Sequence, residues 1–277
     1  MGYTTLHRFQ GKEGFERVIT PENSNLRHMN FSRILLSCGQ ELEYEVVGEE
    51  MAVVLQGGDF TGAVEYSKGK GLDEIYGNRK SVYDELPTAV YLPPGSKIKI
   101  KTEGGMEARI FSTPCVEGND PCFVQPKDIK EGIPGALNWK RKYRFIFSPQ
   151  SNVTKKLIVG ESVSVPGGWI GFPAHKHENT CENEYPLDEI FSFKIKAPHG
   201  GYAIQHTYSL EEKWDEYHTV DGDDIAIAIP KGYHTSWTVP GCTYYLLWGL
   251  AGECKTYKLV YDARFAWLAD VENLFTF

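Results

Sequence analysis

Two histidines one residue apart, His175 and His177, stand in a stretch rich in glycine, proline and aromatic residues. A strand-like run follows, Asp188-Glu189-Ile190-Phe191-Ser192-Phe193, and then a turn, Pro230-Lys231-Gly232, that leads into His234. Side chains at i and i+2 of a strand point to the same face, so His175 and His177 can both face one interior. Glu189 shares a face with Phe191, Phe193 and Ile195. An unpaired anion is costly among such neighbours, and a cation stabilises it. Three imidazoles and one carboxylate suit a divalent metal, Zn²⁺ first and Mn²⁺ or Fe²⁺ as alternatives, with coordination positions left for a substrate. With eight histidines in the chain, chance alone supplies roughly 0.2 such His-x-His pairs, so the weight comes from the ordered Glu and Pro-x-Gly-x-His that follow. Glu182 lies nearer the pair and competes with Glu189 as the carboxylate; Glu178 and Glu184 rank lower because residues 178–186 read as an exposed polar loop.

Other groups qualify less sharply. His206, in Ala203-Ile204-Gln205-His206-Thr207-Tyr208, shares a strand with Gln205 and Tyr208, and the three are candidates to line a pocket as catalytic groups. His7, His28 and His199 read as terminal or turn residues, and His218, beside Asp215 and Glu216, reads as a surface group. Cys181 reads as a tolerated loop cysteine.

Strand signals dominate the elements that must position these groups. Met51-Ala52-Val53-Val54-Leu55 is a continuous apolar run, Ser96 to Lys101 alternates strictly, and Asp224 to Ile229 alternates large and small before stopping at Pro230. Tyr244 to Gly249 reads as a further strand, and a short helix fits within Arg264–Leu274. One pattern occurs twice. An acidic residue, apolar strands and a Pro-x-Gly turn run through residues 39–96 and again through 171–234. A repeat of this length predicts two β-barrels rather than a solenoid. The first copy lacks the histidine pair, and Lys97 stands where His234 would be, so the first barrel is expected to be metal-free. The expected units are residues 1–120 and 121–277, with 115–149 as the connection.

The chain has 277 residues, a formal charge of −8 and a pI of about 5.6. That balance argues against nucleic acid and anionic membrane as partners. No CxxC occurs among the six cysteines, the N-terminal residues lack the apolar core of a signal peptide, and no apolar run approaches bilayer length. A reduced, cytoplasmic protein is expected.

His-x-His, Glu and Pro-x-Gly-x-His between short strands resemble the cupin superfamily, and the duplication resembles a bicupin with one live copy: an all-β fold of two jelly-roll barrels. The wording is closer still. Residues 173–177, 187–191 and 197–205, then Asp221-Gly222-Asp223, Pro230 to His234, Tyr244-Tyr245-Leu246 and Phe265-Ala266-Trp267, resemble the 5-deoxy-glucuronate isomerase family of inositol catabolism. So do Val18 to Glu22 and Gly135 to Asn138 before Arg141. A related ketol-isomerase acts on a deoxy-hexosulose uronate. The resemblance covers nearly the whole chain and implies metal at His175, His177, Glu189 and His234. It implies an aldose–ketose isomerisation of a small sugar acid, in which a proton moves between adjacent carbons and the cation stabilises developing oxyanion charge. His206, Glu189 and Tyr208 are the candidates for proton transfer. Arg141, Arg144 and Lys194 are the candidate cations for the substrate carboxylate. The chain departs from the family at His206, where Arg is usual, at Trp248, where Asn is usual, and at Thr235, where Pro is usual. A cupin dioxygenase and a sugar-binding bicupin without turnover are the competing readings. A homo-oligomer is expected.

Overall fold

The computed structural model describes residues 2–275; Met1 and the last two residues of the expected second unit lie outside it. The described residues are almost entirely strands, with short 3-10 turns and one short helix, Leu268–Asn273, inside the predicted helical tail. No helix among them is long and apolar enough to cross a membrane.

The first half folds into a nine-stranded sheet built around the long strand Glu49–Tyr66, which pairs with Leu72–Arg79, Ala89–Leu92, Ser96–Lys101 and Met106–Pro114. Its interior is apolar, with Met51, Val53, Leu55, Ile98 and Ile100 in one cluster. Lys97 points away from that interior, as alternation requires, and pairs with Glu43.

The second half is a sandwich of a seven-stranded and a five-stranded sheet. In the larger sheet Asp188–Lys196 lies between Ile225–Ile229 and Thr243–Ala251. In the smaller, Tyr233–Thr238 lies between Ala203–Ser209 and Trp169–Lys176. Ile170 and Ala203 from the smaller sheet pack against Phe191, Phe193, Ile227 and Leu246 from the larger.

The large–small alternation of 225–229 now has its reason. Ile225, Ile227 and Ile229 fill the second barrel, while Ala226 and Ala228 face the first barrel in a separate cluster with Phe31, Val54 and Phe111. The two large sheets thus stack face to face, and the strand is buried on both sides. At Gly249 a Cβ would come within 2.5 Å of the Phe111 ring, so this close approach of the barrels requires glycine.

Strand pairing crosses the expected cut at residue 120 in both directions. Thr5–Arg8 adds to the edge of the second barrel's sheet beside Ile225–Ile229, and Cys122–Val124 adds to the first barrel's sheet beside Ala89–Leu92. The boundary at 120 is corrected accordingly. The expected connection also contains a full strand of the second sheet, Arg141–Phe147.

Lys194, a sequence candidate for substrate binding, belongs to the contact between barrels. Its Nζ lies 2.6 Å from Glu107 of the first barrel, beside Arg109, whose Nη1 donates to Ser192 Oγ and to the Phe193 carbonyl. Burial pushes the Glu107 carboxyl up, but Arg109 first and Lys194 second outweigh it and hold it at about 2. Lys194 is itself pushed down by burial and by Arg109, while Glu107 pulls it up. A folded pKa below the unfolded value of about 4.3 means stability that is present above the latter and lost as pH falls through the former. The stability advantage of wild type over Glu107→Gln in urea unfolding is therefore expected to be full at pH 7 and to shrink between about pH 4 and pH 2. An advantage unchanged across that window would refute this tie.

Candidate metal centre and its cavity

His175 and His234 are cross-strand partners on adjacent strands of the smaller sheet, so their imidazoles meet on its inner face with ring centroids 4.5 Å apart. His177 lies one residue beyond the same strand, with its ring 5.1 Å from that of His234. Glu189 reaches across from the larger sheet. Its Oε2 lies 3.1 Å from His177 Nε2 and 2.8 Å from His234 Nε2. The four side chains each offer a ligand atom, and all four atoms lie within 4.8 Å of one another.

The local chemistry aims these atoms. His177 Nδ1 is 2.9 Å from the Leu187 carbonyl, and His234 Nδ1 is 2.9 Å from the Gly232 carbonyl. A carbonyl only accepts, so each Nδ1 carries the proton and each Nε2 turns its lone pair inward. His234 Nε2 is fully buried and has no hydrogen-bond partner, although it sits beside a carboxylate. An orphaned imidazole nitrogen and a carboxylate oxygen directed at one point fit a shared cation better than a direct hydrogen bond. Burial pushes the Glu189 carboxyl up, yet the neighbouring His234 and His177 prevail and hold it down at about 2. Burial and His234 push His175 well below its ordinary value, so it is the neutral, ligating form at pH 7. For His177 burial acts downward and the Glu189 carboxylate upward, which leaves it raised until a cation takes the place of a proton between Nε2 and the carboxylate.

The loop between His177 and Glu189 excludes the competing carboxylates. Glu184 is buried and accepts from the backbone N–H groups of Glu178 and Asn179, which closes the loop on itself. Glu178 binds Lys176 and the Gly232 N–H, tying the histidine pair to the turn that carries His234. Glu182 is exposed, and its backbone carbonyl accepts from Lys258 Nζ.

His175 and Glu189 form part of the wall of a cavity of about 970 Å³ in the second barrel. Arg141, Tyr143, Trp248 and Tyr257 also line it. Tyr143 stacks on Trp248 with centroids 5.4 Å apart, and Trp248 Nε1 donates to Ser162 Oγ. Burial depresses the Arg141 guanidinium, which is nonetheless a cation at neutral pH; its Nη1 donates to the Trp139 carbonyl at 3.2 Å.

The other sequence candidates separate by strand parity. Gln205 and Thr207 face inward, with Thr207 opposite His234, and Gln205 Oε1 is buried without a partner. His206 and Tyr208 face the other way, which corrects their reading as pocket groups. His206 stacks on Tyr217 at 4.2 Å and binds Asp215 at 2.6 Å, while the Tyr208 hydroxyl donates to Asp262 at 2.6 Å. Arg144 is likewise not at the cavity; it is buried against Glu161 and Glu131. Tyr143 and Tyr257 are cavity groups that the motifs did not single out for function, and Trp248, the departure from the family noted in the sequence, lines the cavity beside them. The period-two aromatics Tyr143, Phe145 and Phe147 were the available signal for the first of them.

The family model described as KduI/IolB matches residues 4–268. Relatives named 5-deoxy-glucuronate isomerase include one from Geobacillus thermodenitrificans, 27% identical over 262 residues, covering 94% of this chain and 93% of that protein. Another, from Geobacillus kaustophilus, is 28% identical over 262 residues, covering 94% and 92%. Among solved structures, an IolB-like protein from Salmonella typhimurium superposes with a TM-score of 0.85 at 22% identity, covering 95% of this chain and 98% of the other. An oxalate decarboxylase from Lactobacillus farciminis superposes at 0.68 with 12% identity, covering 98% and 90%, which is likeness of fold. With a family match over almost its whole length and a duplicated cupin architecture, the chain belongs to the KduI/IolB family and is an isomerase of that family.

Proposed function

We propose that the protein is a metal-dependent aldose–ketose isomerase that converts 5-deoxy-D-glucuronate to 5-dehydro-2-deoxy-D-gluconate in inositol catabolism. The observation that carries this reading is the convergence of three imidazoles and one carboxylate at the wall of a cavity that also holds a half-buried arginine, Arg141. The names of the relatives support the substrate. His175, His177, Glu189 and His234 would hold the divalent cation, Zn²⁺ in our reading, which supplies Lewis-acid stabilisation of a carbonyl and its neighbouring hydroxyl.

The chain's own residues do the rest. Arg141 is the cavity cation for the substrate carboxylate, and its partial burial strengthens that pairing. Trp248, Tyr143 and Phe145 form an aromatic wall against which the carbon skeleton packs. Gln205, below Thr207 on the inner face, supports the layer that carries His234.

The test is incubation of metal-replete protein with 5-deoxy-D-glucuronate and identification of the product by NMR. Conversion to the 2-deoxy ketonic acid is expected. An inert substrate with a fully loaded metal site would overturn the assignment. For Arg141→Ala, KM is expected to rise about 10- to 100-fold, the loss of one charge-assisted contact, with metal content unchanged. An unchanged KM would remove Arg141 from the carboxylate site.

A further inference from the structure

The isomerisation moves two protons, one between carbons and one between oxygens. With His206 and Tyr208 on the outer face and Glu189 engaged with His177 and His234, the oxygen-bound proton needs another carrier. Tyr143 and Tyr257 both line the cavity that includes His175 and Glu189. The two phenols interact with each other, although they come from distant parts of the chain. The rings are held by packing: Tyr143 by Trp248 and Phe145, and Tyr257 by an edge contact to Phe145 at 6.1 Å. Other buried tyrosines commit their hydroxyls to fixed partners, Tyr91 to Glu50, Tyr245 to Glu161 and Tyr244 to Ser236. Tyr143 and Tyr257 instead interact with each other at the wall of the space a ligand would fill.

We propose that Tyr143 and Tyr257 touch the sugar acid as a hydroxyl relay between the two oxygens that exchange roles. This rests on the isomerase reading above. Tyr143 gives its proton to the carbonyl oxygen that becomes a hydroxyl. Tyr257 passes its own proton to Tyr143 and takes one from the hydroxyl that becomes a carbonyl. One substrate O–H bond breaks and another forms, and both phenols end neutral. The carbon that loses its hydrogen is oxidised and its neighbour is reduced, so no external redox partner is required; the carbon-bound proton moves in a separate step. A neutral phenol donates and accepts at once, as a relay requires. Burial pushes both phenols upward, which keeps them protonated at pH 7.

Tyr143→Phe, Tyr257→Phe and the double variant are compared with wild type as metal-loaded protein. Each single variant is expected to lose about 100-fold in kcat with KM nearly unchanged and metal content intact. The double variant should be no slower than the singles, because either change breaks the same chain. In D₂O the variants should still exchange deuterium into the carbon beside the carbonyl, read by NMR, while net conversion falls; a packing defect would depress both. Wild-type kcat in either single variant, or a double loss equal to the product of the single losses, overturns the relay. A wild type that neither converts nor exchanges 5-deoxy-D-glucuronate removes the isomerase reading and the relay with it. Active wild type beside undiminished variants removes the relay alone.

Discussion

The His177→Ala variant is expected to lose its divalent metal and, with it, at least about 10³-fold in activity, while keeping its fold. His177 Nε2 stands 3.1 Å from Glu189 and its Nδ1 is anchored on the Leu187 carbonyl, so the substitution removes both a proposed ligand and the bond that aims it. Three of the four proposed ligands remain, and one of them, His175, lies on the partly exposed wall of the cavity. The fold survives because the site occupies one end of a barrel whose core rests on Phe193, Ile227 and Leu246. The missing hydrogen bond to Leu187 costs about 1 kcal/mol. Elemental analysis of purified wild type and variant, with thermal melts of both, checks this. A variant that keeps a full complement of metal would show that His177 is not a ligand.

The largest loss of stability is expected at the opposite face of the same sheet. Glu161 is fully buried and bonded to Arg79 at 2.8 Å, to Arg144 at 2.6 Å and to the Tyr245 hydroxyl at 2.8 Å. Arg79 comes from the first barrel and Arg144 from the second, and Arg144 also pairs with Glu131 at 2.6 Å. Glu161→Ala would strand the Arg79 guanidinium in a dry interior and leave Arg144 with Glu131 alone. A cost of about 3–5 kcal/mol is expected, read as a lower urea midpoint or melting temperature. Metal content should not change, because alternation points Glu161 away from the cavity that Ser162 lines. A variant as stable as wild type would mean that water or a neighbouring acid reaches Arg79.

The cluster residues were readable because their logic is local. His-x-His shares a face by strand periodicity, Glu189 shares a face with two phenylalanines, and a Pro-x-Gly turn starts the strand of His234. The Ile–Ala alternation of 225–229 was also visible, but its second purpose, contact with another barrel, was not. The three candidate cations show the limit. Arg141 and Arg144 lie three residues apart on one strand and therefore on opposite faces. Nothing in their sequence neighbourhood says which face holds the cavity and which is sealed by the first barrel. Lys194 reads as a solvated charge until Glu107, far away in the chain, is brought to within 2.6 Å of it. The same parity separates Gln205 from His206 and Tyr208.

The amino-acid sequence alone determined the all-β duplication, the family likeness and the set of groups that converges at one end of the second barrel. Each of these depends on spacing along single strands and turns. Tertiary structure decided which arginine enters the cavity, which tyrosines face it and where the barrels divide. Those outcomes depend on sheet stacking and on which side of a strand another part of the chain covers, and such contacts join residues that are remote in sequence.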